Sequence, residues 1–243
     1  MILVLSGEGA TDLGRCRSLA GSCSGGEFEP GPLCVVVDKL LEPALGYHLL
    51  ELLDSVHFIH KTALSHRARG KRHGYSLVGK KRGQETGDFY IAAWMLGEIA
   101  LEREAANADL SIALLHRDSD ERSDGPHDVW DRKHRSVIDG FARASYARGV
   151  PMLPKPISES WLLCLALPGV ASCAALEDES ASKRSPRPLK RQLDDVLGEH
   201  LDAEGLARWI EDVFDANRLD TMPSFLHFRE LLGDAVNSVL VGQ

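Results

Sequence analysis

The chain has 243 residues, 44% of them hydrophobic, and a formal net charge of −8. Its length and apolar content suffice for one large domain, or one domain with a helical appendage. No apolar run approaches a membrane span, and the acidic balance argues against a protein that coats nucleic acid nonspecifically, though it leaves room for a local basic strip.

Met1–Leu5 reads as a buried first strand rather than a signal peptide, because it is short and runs straight into Gly7-Glu8-Gly9. Residues 14–32 are rich in Gly, Ser and Pro without apolar periodicity, and read as a loop. The β-branched run Leu33–Val37 reads as a short strand, and Lys39–Leu53 as a helix with Leu40, Leu41, Ala44, Leu45, His48, Leu49 and Leu52 at helical spacing. Val56–Ile59 reads as another strand. Asp88–Ala106 is the clearest helix, with Phe89, Ala92, Ala93, Leu96, Ile99 and Ala100 on one face and Asp88 suited to its start. Leu110–Leu115 has the continuous apolar character of a strand covered on both faces. Val129–Ala147 reads as a helix, residues 149–154 as a weaker strand, and Ser158 as the cap of a helix starting at Glu159. Residues 177–188 read as an exposed linker. Leu189–Leu197, Ala203–Phe214 and Pro223–Leu240 follow as helices, with proline suited to a first helical turn. The order of elements predicts an α/β fold: a parallel sheet flanked by helices over residues 1–176, and a helical C-terminal extension over 189–243.

The five cysteines, Cys16, Cys23, Cys34, Cys164 and Cys173, are odd in number and show no zinc-site spacing. They are expected to be reduced thiols of a cytoplasmic protein. His116, closing a buried strand, is expected to be a satisfied core histidine, and Trp94 and Trp161 to fill the core.

The chemistry is carried by acidic residues in two places. Glu8 and Asp12 follow the first strand, and Asp118 and Asp120 follow the strand ending near Leu115. Open α/β sheets place their ligands at the C-terminal ends of parallel strands. Converging carboxylates repel one another unless a hard cation lies between them, and Mg²⁺ is the usual cation where the substrate is a phosphate. The pattern points to metal-dependent phosphodiester chemistry. Asp12 and Glu159 also suit helix starts, where acids are favoured in any case. Residues 55–84 contain no acid and carry Lys61, Arg67, Arg69, Lys71, Arg72, Lys80, Lys81 and Arg82. Read functionally, this block is a phosphate-contacting arm beside the carboxylates; read blandly, it is a solvated loop.

Glu-Gly-x-Thr-Asp after a first strand, followed by Asp-x-Asp after a later buried strand, resembles the Toprim domain of topoisomerases, primases and several nucleases. The resemblance is nearest to small Toprim-like proteins and the overcoming-lysogenization-defect nucleases of bacterial anti-phage systems. Glu159 ahead of Trp161-Leu162-Leu163, and Pro223-Ser224-Phe225, are similar to features of that group. It covers roughly residues 1–165. It implies an endonuclease dependent on Mg²⁺, or Mn²⁺, acting on DNA or RNA, with an ATPase encoded separately as a partner. It further implies that Glu8 and Asp118 share one metal, that Asp12, Asp120 and Glu159 complete a second site or orient its waters, and that Lys155 or a residue of the basic block neutralises the phosphate, in one-metal or two-metal hydrolysis. Family members often carry glutamate where this chain has the shorter Asp12. The alternative is a non-catalytic Toprim-fold subunit that binds a partner through residues 189–243. A receiver domain fits poorly, because the first strand offers only Glu8 and the insertions are large. A dinucleotide-binding fold lacks its third glycine and would set a carboxylate against the pyrophosphate. No Gly-x-Ser-x-Gly elbow or Gly-Lys-Ser/Thr phosphate loop is present.

Overall fold

Short apolar segments of the sequence assemble into a central sheet in the computed structural model, which describes residues 1–9, 12–71, 86–120, 128–169, 171–182 and 184–242. The strands are β1 (Ile2–Ser6), β2 (Gly14–Cys16), β3 (Ser22–Ser24), β4 (Phe28–Pro30), β5 (Val56–Ile59), β6 (Ser111–His116) and β7 (Gly149–Met152). The main sheet runs β3-β5-β1-β6-β7, with β2 and β4 forming a separate antiparallel pair. The four strands β5, β1, β6 and β7 are mutually parallel, and β3 adds antiparallel to the edge of β5. The region read as a loop over residues 14–32 therefore contains three short strands.

Alternation along the strands distributes the core between two faces. Leu3 and Leu5 of β1 join Val56, Phe58, Ile112, Leu114, Val150 and Met152 in one buried cluster. Ile2 and Val4 join Ile59, Ala113 and Leu115 in the other. The second face is covered by α2 (Lys61–Lys71), α3 (Gly87–Asn107) and α4 (Val129–Arg143), which contribute Leu64, Trp94, Leu96, Val137 and Phe141. Helices α3 and α4 meet closely at Gly140, where a Cβ would lie 2.3 Å from the Tyr90 carbonyl oxygen and 2.7 Å from the Ala93 Cβ.

The first face is covered by α1 (Pro32–Leu45), α5 (Ser158–Ala166), α6 (Leu189–Leu197), α7 (Ala203–Val213), the short α8 (Ala216–Leu219) and α9 (Pro223–Val241). The C-terminal helices pack on the sheet. Trp161 of α5 is 1% exposed, lies 5.1 Å from Phe225 and 5.7 Å from Phe228 between ring centroids, and donates its Nε1–H to Ser224 Oγ at 2.9 Å.

The run Leu33–Val37, expected as a strand, is the first half of α1. Gly31 stands at the N-cap and Pro32 at N1, where a missing N–H costs nothing and φ is already helical. The β-branched residues Val35, Val36 and Val37 lose only a few tenths of a kcal/mol each in a helix. Burying each side chain returns about 1.5 kcal/mol or more, and all three are buried. The helix then stops at Leu45, short of the expected Leu53, because Gly46 adopts φ +76° and its N–H bonds to the Glu42 carbonyl at 2.8 Å.

Two further expectations are corrected. The start of the supposed linker is a 3₁₀ turn, Ala174–Asp178, in which Glu177 is 6% exposed and accepts from the Ser224 backbone N–H at 2.7 Å. The thiols are not all reduced: Cys16 is bonded to Cys23 and Cys164 to Cys173, leaving Cys34 free and buried. Neither pair was visible as a spacing motif, because each depends on a turn that brings its partners together. Paired thiols are the habit of oxidising compartments, so the cysteines lend no support to a cytoplasmic setting. Among the described residues, no helix is long and apolar enough to cross a membrane.

Candidate functional site

The parallel strands, taken in chain order as β1, β5, β6 and β7, lie in the order β5-β1-β6-β7. After β1 the chain moves to one side of it, and then to the other. That makes the C-terminal ends of β1 and β6 the topological switch point, where open α/β sheets open a crevice for ligands. Both acidic motifs of the sequence leave the sheet there.

The loop after β6 is tied to the segment after β7. The backbone N–H groups of Arg117, Ser119 and Asp120 donate to the carbonyls of Met152 (3.2 Å), Pro154 (3.2 Å) and Pro156 (2.9 Å). Ser119 Oγ donates to the Pro156 carbonyl at 3.1 Å, and Lys133 Nζ of α4 donates to the Ser119 carbonyl. Asp120 takes the left-handed conformation at φ +50°, which aspartate tolerates better than most residues. Thus fixed, Asp118 turns its Oδ1 onto the Ser158 backbone N–H at 2.9 Å. The start of α5 is therefore met by a carboxylate from another strand. Ser158, expected as the cap, is the first helical residue, and the N-cap Ile157 supplies no side-chain bond.

Asp12 reaches the same place from β1. It sits in a turn rather than at a helix start, accepting from the Gly9 N–H at 3.1 Å. His116 lies beside both acids, with Nδ1 3.8 Å from Asp12 and Nε2 3.7 Å from Asp118. The ring is fully buried, yet neither nitrogen has a hydrogen-bond partner among the described residues. The expectation of a satisfied core histidine is corrected. Burial, with the Arg117 charge beside it, pulls its pKa down to about 3, so the imidazole is neutral. Burial, followed by the negative charges of Asp12, Glu159 and Asp120, holds the Asp118 carboxyl well above the usual carboxylate range. Asp12 is raised as well, mainly by burial, with the Gly9 N–H bond and then the charges of Lys190, Arg117 and Lys61 opposing.

Asp118, Asp120 and Glu159 line a cavity of about 380 Å³ closed on its far side by Ala181, Pro188, Leu189, Lys190, Arg191 and Asp194. Lys190 Nζ is 2.9 Å from Glu159 Oε1 and also feels Asp12 and Asp118. Sequence reasoning missed this cation, because α6 is distant in the chain and nothing in its pattern marks Lys190. Lys155, expected in that role, does not line this cavity; its charge acts on Glu177 and its carbonyl accepts from Ser160 Oγ at 2.8 Å.

Glu8 lies elsewhere. It lines a cavity of about 510 Å³ together with Lys61, Arg69, Asp88, Ile91 and Arg117. Its Oε1 is 3.6 Å from Nε of Arg117, whose guanidinium is buried and also donates to the His116 carbonyl at 2.7 Å. Glu8 and Asp118, expected to share one cation, line different cavities, and of the two acids of the first motif it is Asp12 whose charge acts on Asp118. Of the basic block, Arg69 lines the Glu8 cavity, whereas Arg67 is forked onto Glu102 and lies 3.5 Å from Glu98 of α3. The side chain of Lys71, and Arg72, Lys80, Lys81 and Arg82, lie outside the described residues.

Among the described residues, no three of His, Cys, Asp and Glu are arranged as they stand to hold a metal ion. The donor chemistry nonetheless suits a hard divalent cation: Asp12, Asp118, Asp120 and Glu159 offer only carboxylate oxygens, and their mutual repulsion at Asp118 is what such a cation relieves. Comparison with protein-family models, with curated proteins and with solved structures finds no match.

Proposed function

We propose that the chain is a Mg²⁺-dependent phosphodiester hydrolase acting on DNA or RNA, with Mn²⁺ as a competent substitute. The observation that carries this reading is the approach of Asp12, from the end of β1, to Asp118, from the end of β6, across the buried, unpartnered ring of His116 at the switch point of the sheet. When bound, the cation supplies Lewis acidity toward a phosphate and lowers the pKa of water.

The residues divide the remaining work. Asp12 and Asp118 hold the cation, with Asp120 and Glu159 at its flank. His116, buried and neutral beside both acids, adds no charge to the pair. Lys190 balances Glu159 and is the nearest cation for a negatively charged leaving group or phosphate. The cleft walled by Lys61, Arg69 and Arg117 gives a polyanion a route past β1. A place in bacterial anti-phage defence, beside an ATPase encoded separately, rests on the Toprim resemblance alone.

The test is cleavage of a mixed DNA and RNA panel with Mg²⁺ or Mn²⁺, in the presence and absence of candidate ATPase partners. Asp118→Asn and Asp12→Asn should each lower the rate by about 10²-fold or more, on the scale of losing a transition-state electrostatic contact. Wild-type cleavage in both variants overturns the site. Glu8→Gln separates the two cavities: a smaller loss than in Asp12→Asn is expected, and an equal or larger loss restores Glu8 as a cation ligand. Absence of cleavage under every partner condition, with nucleic acid still bound, favours the non-catalytic subunit.

A further inference from the structure

Away from the acidic cluster, α4 and α9 meet through three rings. His134 of α4 and His227 of α9 face each other with their Nε2 atoms 3.1 Å apart and ring centroids 4.5 Å apart. Trp130, one turn before His134, stacks on its ring at 5.0 Å and meets His227 edge-on at 5.8 Å. The Trp130 indole N–H is committed to the Leu153 carbonyl at 2.8 Å, which fixes the ring against β7 and its following segment. Both histidines are half-buried. As they stand, one Nε2 donates and the other accepts, so the two rings must be in opposite tautomers.

We propose that His134 and His227 form a site for a borderline transition-metal dication, Zn²⁺, Ni²⁺ or Cu²⁺, that clamps α4 to α9. Imidazole nitrogens bind such ions at about 2.0–2.1 Å, so two nitrogens 3.1 Å apart subtend an angle of roughly 100° at a shared ion. That angle suits the tetrahedral or square arrangements these metals adopt. The clamp forms when the protonated nitrogen of each ring is Nδ1, leaving both Nε2 lone pairs to converge just off the line between them. Burial, and then the neighbouring His227, pull the His134 pKa down to about 4, so no proton competes for that ring near neutral pH. The remaining coordination positions belong to water or an external ligand. Mg²⁺, which prefers oxygen, is excluded. The clamp lies one residue from Lys133, which holds the carbonyl of Ser119 between the two aspartates of the acidic loop. It rests on these rings alone and is independent of the hydrolase reading.

The experiment uses the full chain after EDTA treatment and dialysis. Zn²⁺ and Ni²⁺, but not Mg²⁺, should raise the melting temperature by about 5 °C or more at a concentration 100-fold above Kd. Cu²⁺ should quench the Trp130 fluorescence with one-to-one stoichiometry. His134→Gln and His227→Gln should each weaken binding at least tenfold by calorimetry. His200→Gln, altering an exposed histidine bound to Asp194, should bind as wild type does. Trp130→Phe should retain the thermal shift and lose the quench. Unliganded melts and far-ultraviolet circular dichroism establish that each variant is folded. Equal binding by wild type and both His→Gln variants, or no binding below about 100 μM, a weak-site affinity, overturns the proposal.

Discussion

Asp118→Asn separates a side chain kept for chemistry from one kept for the fold. Asparagine preserves the Oδ1 that accepts from Ser158 and removes only the charge. In the folded chain burial, and then the facing charges of Asp12, Glu159 and Asp120, hold the carboxyl well above its ordinary value of 3.8. A carboxyl raised by folding binds its proton more tightly in the native state. Its penalty is absent below the unfolded pKa, and grows as pH rises until it is complete above the folded pKa. Without divalent cations, Asp118→Asn should therefore stabilise the protein at pH 7.5 by about 1–2 kcal/mol, the range of a relieved functional-site strain. For a chain of this length that is a rise of about 2–8 °C in Tm. The advantage should shrink as pH falls through the raised pKa, and vanish near pH 4. Saturating Mg²⁺ should reverse the order, because wild type gains about 2.7 kcal/mol at 100 times Kd and the variant gains little. Calorimetric or urea melts in EDTA and in Mg²⁺, across pH 4–8, measure all of this. A variant less stable than wild type in EDTA at pH 7.5, or a gap that does not change with pH, refutes the reasoning.

Other outcomes follow from the same geometry. Lys190→Gln removes the cation beside Glu159, whose partner is 60% exposed at its side chain; divalent-cation affinity should rise about two- to fivefold by calorimetry, the scale of an exposed ion pair, and an unchanged affinity would show that Lys190 does not screen the cluster. Gly140→Ala drives a Cβ into the Tyr90 carbonyl and Ala93, so overpacking of about 1–3 kcal/mol should exceed the helix-propensity gain of about 1 kcal/mol; a urea melt showing stabilisation would contradict the close α3–α4 contact. Denatured, unreduced protein should show one reactive thiol, Cys34, and reduced protein five. Each disulfide closes a loop of 7 or 9 residues and should contribute about 2.5 kcal/mol on the chain-entropy scale, read as the stability lost on Cys16→Ser or Cys164→Ser. Five titrating thiols before reduction would overturn the pairing.

Much of the fold was legible because each face of the sheet needs its own apolar set. The run at Ser111–His116 reads correctly because a strand covered on both faces has no polar side to hide. The helix at Gly87–Asn107 reads correctly because its stripe recurs over many turns. Leu33–Val37 misled for the same physical reason. A helix pressed between the sheet and other helices is apolar all round its first turns, and short apolar runs carry no period that separates helix from strand. The only local clue was Gly31-Pro32 ahead of it, a helix start by Pro at N1. The disulfides and Lys190 were illegible because each depends on contacts made only after the chain has folded.

The carboxylates at the switch point could be assigned to their strands from the sequence, but not to their cavities. A strand followed by a glycine-rich turn places some carboxylate at the sheet edge, but whether Glu8 or Asp12 turns toward β6 is set by the turn's handedness and by what fills the space behind it. Here Arg117, the residue before Asp118, turns to the α2–α3 side and draws Glu8 to 3.6 Å. The Gly9 N–H instead holds the Asp12 carboxylate in the turn, where its charge acts on Asp118. Adjacent residues on an extended segment point in opposite directions, so Arg117 and Asp118 divide the crevice into a cationic side and an anionic side. Each then recruits its partner from the β1 loop. Arg117→Gln removes the charge beside Glu8 and leaves the alternation in place. If the chain is the proposed hydrolase and Arg117 is what holds Glu8 off the proposed cation, the effect of Glu8→Gln on cleavage should grow in the Arg117→Gln background. A double-mutant cycle showing strict additivity would mean that the turn alone fixes the division.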